Sequence, residues 1–304
     1  MSDILCLGEP LYELNAQADG LFKAGFGGDV SNVAIAAARQ GMDVGLISRV
    51  GDDPFGADLC QLWRRENVCT DHVTIMPGQE TGMYFVFHGK DGHRFVYRRK
   101  GSAASRVAPE DIPETAVAQA RVFYASGIGL GVSKSLRAAT FHAARVAKQA
   151  GVTVAFDPNL RTALWSLEEA RVVTHDLMRH CDIALPGLDD ARQLTGLQSP
   201  EDIIRFYHDL GAGVVALTLG GDGVIVSDNQ VAHTIPGTKV EANDATGAGD
   251  CFNGIFLANY LCDGDILNAA KTANRGAALS TTGYGAVDPI PYKSTLEKLK
   301  EPQT

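Results

Sequence analysis

The chain has 304 residues, 45% hydrophobic and 21% charged, the balance of a folded enzyme-sized protein with a full core. Its formal charge of -9 argues against broad contact with a phosphate backbone, so no nucleic-acid partner is expected. No apolar run approaches the roughly 20 residues of a membrane span, and "MSDILCLGEP" lacks a basic segment followed by a long apolar one, so a cytoplasmic protein with no membrane partner is expected.

In chain order, "DILCLGE" reads as a short buried strand. "VSNVAIAAARQG" follows the pair Gly27–Gly28 and reads as a helix closed at Gly41. "DVGLISRVG" is a strand, and "PFGADLCQLWRREN" a helix with Pro54 in its first turn. The rhythm then changes: "DHVTIM", "TGMYFVFH" and "HRFVYRR" are β-branched or aromatic, with "GKDG" as a turn, and predict an antiparallel hairpin region. From residue 121 the strand candidates "RVFYAS", "VTVAFD", "CDIALP", "GVVALTL" and "GVIVSD" alternate with helix candidates such as "SKSLRAATFHAARVAKQAG" and "PEDIIRFYHDLG". Apolar strands alternating with helices predict an α/β fold, a mainly parallel sheet with helices on both faces. We expect one domain over residues 1–304, with a small β lid from about 9–25 and 68–101 over the strand ends, where ligands of such sheets bind.

Two features need a metal or dinucleotide reading and do not sustain one. Cys6, Cys60, Cys69, Cys181, Cys251 and Cys262 form no C-x-x-C pair, and the eight histidines show no metal spacing; His88 and His93 flank the lid turn and are expected in solvent. "SGIGLGV", residues 126–132, has spaced glycines but the wrong register for a dinucleotide fingerprint, and is expected to be a turn. Asp52–Asp53 after "SRVG" reads as a turn or a support for the lid, and Trp165 as core.

"DATGAGD" precedes the apolar segment "CFNGIFLANYL", which places Gly247, Ala248 and Gly249 at a helix N-terminus. The first amides of a helix lack internal acceptors and carry partial positive charge, so this is a place for an anion. Asp250, in the first turn beside it, is placed to take a proton from a hydroxyl attacking phosphorus. The simpler reading, a turn followed by an acid that suits the helix dipole by about 0.3–1 kcal/mol, stands beside it.

"DATGAGDCF" resembles the C-terminal signature of the ribokinase-like (PfkB) carbohydrate kinases, and "GGDVSNVAIAAARQG" with Val50–Gly51 resembles their N-terminal signature. The resemblance covers nearly the whole chain and implies a ribokinase-like fold with a β-sheet lid and ATP-dependent phosphorylation of a sugar hydroxyl. It implies Asp250 as catalytic base, Gly247, Ala248 and Gly249 as the backbone anion hole, and Gly28 and Asn32 as substrate contacts. It also implies a nucleotide side at Thr218, Gly220 and Gly223 in "LTLGGDG" and at Asn274 in "TANRGAALS", with ATP and Mg²⁺ as cofactors. A monovalent cation such as K⁺ near "DAT" and "GYGA" is a further family feature. No G-x-x-x-x-G-K-[ST] loop is present.

Within the family, "GEP", "TGMYF", "FVYRRKGSAAS" and "DPNLRTALW" are most similar to 2-keto-3-deoxygluconate kinases, implying substrate contacts from Tyr84, Tyr97, Arg99 and Arg161. The pair of arginines suits a carboxylate. Otherwise Arg98–Arg99–Lys100 reads as a solvated edge strand, the tyrosines as cross-strand packing and Arg161 as a surface ion pair. Where relatives carry an N-x-x-E pattern near magnesium, this chain has Gly187 and Asp190, leaving Asp190 as the one metal candidate. The expected partners are a sugar acid and ATP, and "YFVF" on the lid suggests a homo-oligomer. A fructokinase- or ribokinase-like neutral-sugar kinase, a nucleoside kinase and a silent sugar-binding protein on the same fold are the competing readings.

Overall fold

In the computed structural model, which describes residues 2–17, 19–89 and 92–298, the alternation of apolar strands with helices builds a nine-stranded sheet. In chain order the first half holds β1 (Ile4–Leu7), β2 (Leu11–Ala16), β3 (Phe22–Gly27), α1 (Asp29–Arg39), β4 (Val44–Gly51), α2 (Pro54–Arg65), β5 (Val68–Met76), β6 (Met83–Gly89) and β7 (Gly92–Arg98). There follow α3 (Glu114–Gln119), β8 (Val122–Ser126), α4 (Gly127–Val132), α5 (Lys134–Gln149), β9 (Thr153–Asp157), α6 (Leu167–Met178), β10 (Ile183–Ala184), α7 (Leu188–Thr195) and α8 (Pro200–Leu210). The chain closes with β11 (Val214–Thr218), β12 (Gly223–Ser227), β13 (Ala232–Pro236), α9 (Ala248–Asp263), α10 (Ile266–Ser280) and α11 (Lys293–Lys298). None of these helices is long and apolar enough to cross a membrane.

The large sheet runs β13-β12-β11-β10-β9-β8-β1-β4-β5, parallel from β11 to β5 and antiparallel at β12 and β13. Its strands are apolar on both sides because both faces are covered. Ile4 and Cys6 join the core beneath α1, α2, α9 and α10, while Leu5 and Leu7 join the core beneath α5, α6 and α8. Trp165 belongs to the second core and is 7% exposed, as the sequence suggested.

The second sheet is small, in the order β3-β2-β6-β7, antiparallel except where β2 and β6 run parallel. Val68–Met76, expected within this region, instead pairs in parallel with β4 and forms the edge of the large sheet. Its residues alternate too weakly to reveal this, and only the helix before it fixes the direction in which it enters. The two hairpins of the small sheet are far apart in sequence and are joined by the parallel pairing of β2 with β6, and a side-chain bond from the large unit fixes the entry to β6. Asp53 caps α2 through the Gly56 N–H at 2.8 Å and accepts from the Thr81 N–H at 2.7 Å, just before β6. The expected turn residues Lys90 and Asp91, and the side chains of His88 and His93, lie outside the described residues.

Residues 127–132, expected to be a turn, form helix α4 instead. Ser126 caps it by accepting the Ile128 N–H at 3.1 Å, and Gly127 packs where a Cβ would lie 1.9 Å from the Pro158 carbonyl oxygen. Gly127 thus serves close packing of backbone on backbone rather than a bend, and Gly131 makes room for Leu164 and Trp165.

Candidate active site

The carboxyl ends of β1, β8 and β9 open beneath the small sheet into a cavity of about 750 Å³. It brings together Gly28, Asn32, Tyr84, Tyr97, Arg99, Arg161, Gly247 and Asp250, residues drawn from distant parts of the sequence. Gly28 precedes α1 with φ 93, and a Cβ there would sit 2.5 Å from the carbonyl oxygen of Glu9, so only glycine fits.

Asp250 occupies the first turn of α9, whose N-cap is Gly247 in the left-handed region with φ 75. Among the described residues, the N–H groups of Gly249 and Asp250 have no protein acceptor, whereas the Ala248 N–H already donates to the Ala245 carbonyl at 3.2 Å. The Gly247 N–H is likewise without an acceptor among the described residues, so open amides stand on both sides of Ala248, whose own N–H closes the turn. Asn32 donates through Nδ2 to Asp250 Oδ2 at 2.8 Å. Its buried Oδ1 has no partner among the described residues, an acceptor open to a substrate hydroxyl.

Further carboxylates lie under the cavity. Asp29, in the first turn of α1, accepts from Ser126 Oγ and from Asn159 Nδ2, the latter at 3.2 Å. Asp157 accepts from the Asn159 N–H at 2.9 Å and from Asn253 Nδ2 at 2.8 Å. Burial, then the negative charge of Asp29, raises the Asp250 carboxyl well above the ordinary carboxylate range; the Asn32 bond opposes this. Burial and neighbouring Asp190 push Asp157 up to about 7.

The small sheet contributes one face. Glu13, Tyr84 and Tyr97 are in register across β2, β6 and β7, and the buried Tyr84 hydroxyl donates to Glu13. Arg99, just after β7, stacks over the Tyr97 ring at 5.4 Å and donates from Nε to Glu9 Oε2 at 2.7 Å. One edge of its guanidinium is thereby occupied. Arg161 is half-exposed and donates to the Leu160 carbonyl at 2.7 Å.

Other expected residues stand apart from this cavity. Thr218 donates its N–H to the Pro186 carbonyl at 3.0 Å. Gly223 pairs with Pro236, and Asn274 Nδ2 donates to the Pro236 carbonyl at 2.8 Å, so β12, β13 and α10 meet there; Gly220 begins the turn ahead of β12. Asp190 uses one oxygen to accept the Leu160 N–H at 2.9 Å and lies 3.6 Å from Arg161. No group of three or more acidic, histidine or cysteine side chains able to hold a metal exists among the described residues. That donor set fits magnesium carried on phosphates and water, which needs few carboxylates.

Sequence reasoning missed Glu9, Asp29, Lys100 and Asn159, which all line the cavity. The available signal was an acid at the end of an apolar strand in "LGEP", an acid beside the glycine pair in "GGDV", and an Asn after "DP". Asn159 takes a positive φ of 29, consistent with that last pattern.

An α/β sheet, a lid-like second sheet and an acid beside open helix amides define a sugar-phosphorylating class, and the chain belongs to the pfkB family of carbohydrate kinases, whose model matches residues 1–293. It is 35% identical to a 2-dehydro-3-deoxygluconokinase of Thermoproteus tenax, over 98% of this chain and 94% of that protein. It is 33% identical to Fructokinase-1 of Oryza sativa subsp. japonica, over 94% and 91%. The structure of a putative ribokinase II from E. coli in complex with ATP and Mg²⁺ overlays with a TM-score of 0.91 at 25% identity, covering 98% of each chain.

Proposed function

We propose that the protein transfers the γ-phosphoryl group of ATP to the terminal primary hydroxyl of 2-keto-3-deoxygluconate, also named 2-dehydro-3-deoxygluconate. The observation that carries this reading is one cavity holding both ends of the required chemistry: Asp250 beside open amides, and the cations Arg99, Lys100 and Arg161. Asp250 takes the proton of the attacking hydroxyl, with Asn32 fixing its orientation. The N–H groups of Gly247, Gly249 and Asp250 receive the charge that builds up on the transferred group. Asp190, whose second oxygen makes no bond among the described residues, would hold Mg²⁺ through water, and the ion would supply counter-charge for the phosphates. Thr218, Gly220, Gly223 and Asn274 form the nucleotide side, a reading supported by Gly223 and Asn274 both reaching Pro236 and by Thr218 pairing with Val224 beside Gly223. A monovalent cation belongs beside Asp244, whose Oδ2 accepts the Gly285 N–H at 2.9 Å and so joins the two segments that would supply carbonyl ligands.

Residues 1–304 act as one domain with the small sheet as its lid, excluding water so that ATP is not wasted. A reducing cytoplasm suits six unpaired cysteines. The second reading is a neutral-sugar kinase. It is favoured by the acids Glu9, Asp29 and Asp250, which match the three cations in number within the same cavity. A coupled assay of ADP release with ketodeoxygluconate, fructose, ribose and adenosine separates the readings. Turnover is expected on the sugar acid; robust fructose turnover with none on the acid removes the substrate assignment. Binding of the acid in calorimetry without any ADP formation would make the protein a sensor.

A further inference from the structure

The cation with no protein partner at this site is Lys100. Its side chain makes no ion pair or hydrogen bond among the described residues, is exposed, and lines the cavity. Its placement is built rather than incidental. Residues Arg99 to Ser102 form a tight turn closed by the Ser102 N–H on the Arg99 carbonyl at 3.1 Å, with Gly101 at φ 78. Both ends of that turn are fastened to one buried carboxylate: Arg99 Nε donates to Glu9 Oε2 at 2.7 Å and Ser102 Oγ to Glu9 Oε1 at 2.7 Å. Glu9 has a fully buried side chain and Arg99 is 10% exposed, so this pair neutralises itself away from water. The next main-chain bond, from the Ala103 N–H to the Glu80 carbonyl at 2.9 Å, holds the turn against the loop that leads into β6.

We propose that Lys100 is a specificity-determining residue: the Glu9-fastened turn presents its ammonium at the cavity mouth, where with Arg161 it selects substrates whose far end is anionic. Glu9 acts as a positioning residue, and Arg99 anchors the turn through Nε while still lining the cavity. This inference rests on the sugar-acid reading above and makes a separate demand on it. A flexible lysine at a wet mouth contributes long-range attraction and a screened contact more than a rigid fork does.

The test compares ketodeoxygluconate with its neutral carboxamide, used as substrate or competitive inhibitor, on the full-length wild type, Lys100→Met and Lys100→Arg. Lys100→Met is expected to raise KM for the acid by about two- to fivefold, the range of an exposed charge contact, with kcat nearly unchanged. Its affinity for the carboxamide stays at the wild-type value, and the rise of KM with salt becomes shallower. Lys100→Arg restores the acid preference. An unchanged KM for the acid in Lys100→Met overturns the proposal and leaves the sugar-acid reading intact. Equal losses on acid and carboxamide also overturn it, because the lysine would then be structural. A wild type that does not favour the acid over the carboxamide removes both.

Discussion

Asp250 is a carboxylate whose surroundings set its proton affinity, and this can be tested one residue at a time. Asp250→Asn should lower kcat by about 10²-fold or more while ATP binding, followed by calorimetry, persists. The acid limb of the kcat/KM profile should lie above the ordinary carboxylate range, because burial and Asp29 both raise the Asp250 carboxyl. Asp29→Asn removes one negative neighbour and should move that limb to lower pH; an unmoved limb means Asp29 does not act on Asp250 electrostatically. Asp157 leads to a stability effect. Its native carboxyl keeps its proton up to about 7, whereas an unfolded one releases it near the reference value of 3.8. Between those values the native state binds more protons, so this group's stabilising share falls as pH rises. Thermal melts of Asp157→Asn should therefore gain on wild type as pH climbs from about 4 to about 7.

At the scale of elements, the site depends on how closely α9 approaches α1. Gly254 makes the approach possible: a Cβ there would lie 2.5 Å from the Val33 carbonyl oxygen and 2.6 Å from the Ala36 Cβ. Gly254 is one turn beyond Asp250, and Val33 is next to Asn32, so the same contact sets the Asn32–Asp250 bond. Gly254→Val should destabilise the protein by about 1–3 kcal/mol and lower kcat, read by denaturant unfolding and the coupled assay. Full activity in that variant would mean that α9 can shift without disturbing the Asn32–Asp250 bond. The helix carrying Asp250 was legible because glycines and an acid precede an apolar run. Its partner was legible only as a helix, since nothing in "VSNVAIAAARQG" says which face Asn32 meets. Likewise "SGIGLGV" gave no periodic signal, and its helix follows from the Ser126 cap and packing on Pro158.

Across the whole molecule, the small sheet has two faces with different tasks. Tyr84 and Tyr97 look toward the cavity, with Glu13 on the same face, while Phe22, Phe85 and Phe87 cluster on the opposite face with ring centroids 5.7 and 5.8 Å from Phe22. Phe22 is 44% exposed, so an apolar aromatic group stands in water in the isolated chain. We expect this face to pair two copies. Phe22→Glu should then convert a wild-type dimer into a monomer in light scattering, and a wild type that is already monomeric would rule the pairing out.

The order of elements, the mainly parallel sheet and the identity of the acid with its neighbouring glycines were fixed by local signals: apolar runs, helix starts and residues that leave amides bare. Those signals act over a few residues, so a single strand of text carries them. Which carboxylates crowd Asp250, which arginine is already paired, and which edge Val68–Met76 joins depended on contacts between segments far apart in the chain. Charge and packing across such distances have no local imprint, and only the folded backbone brings Glu9 to Arg99 and leaves Lys100 without a partner among the described residues.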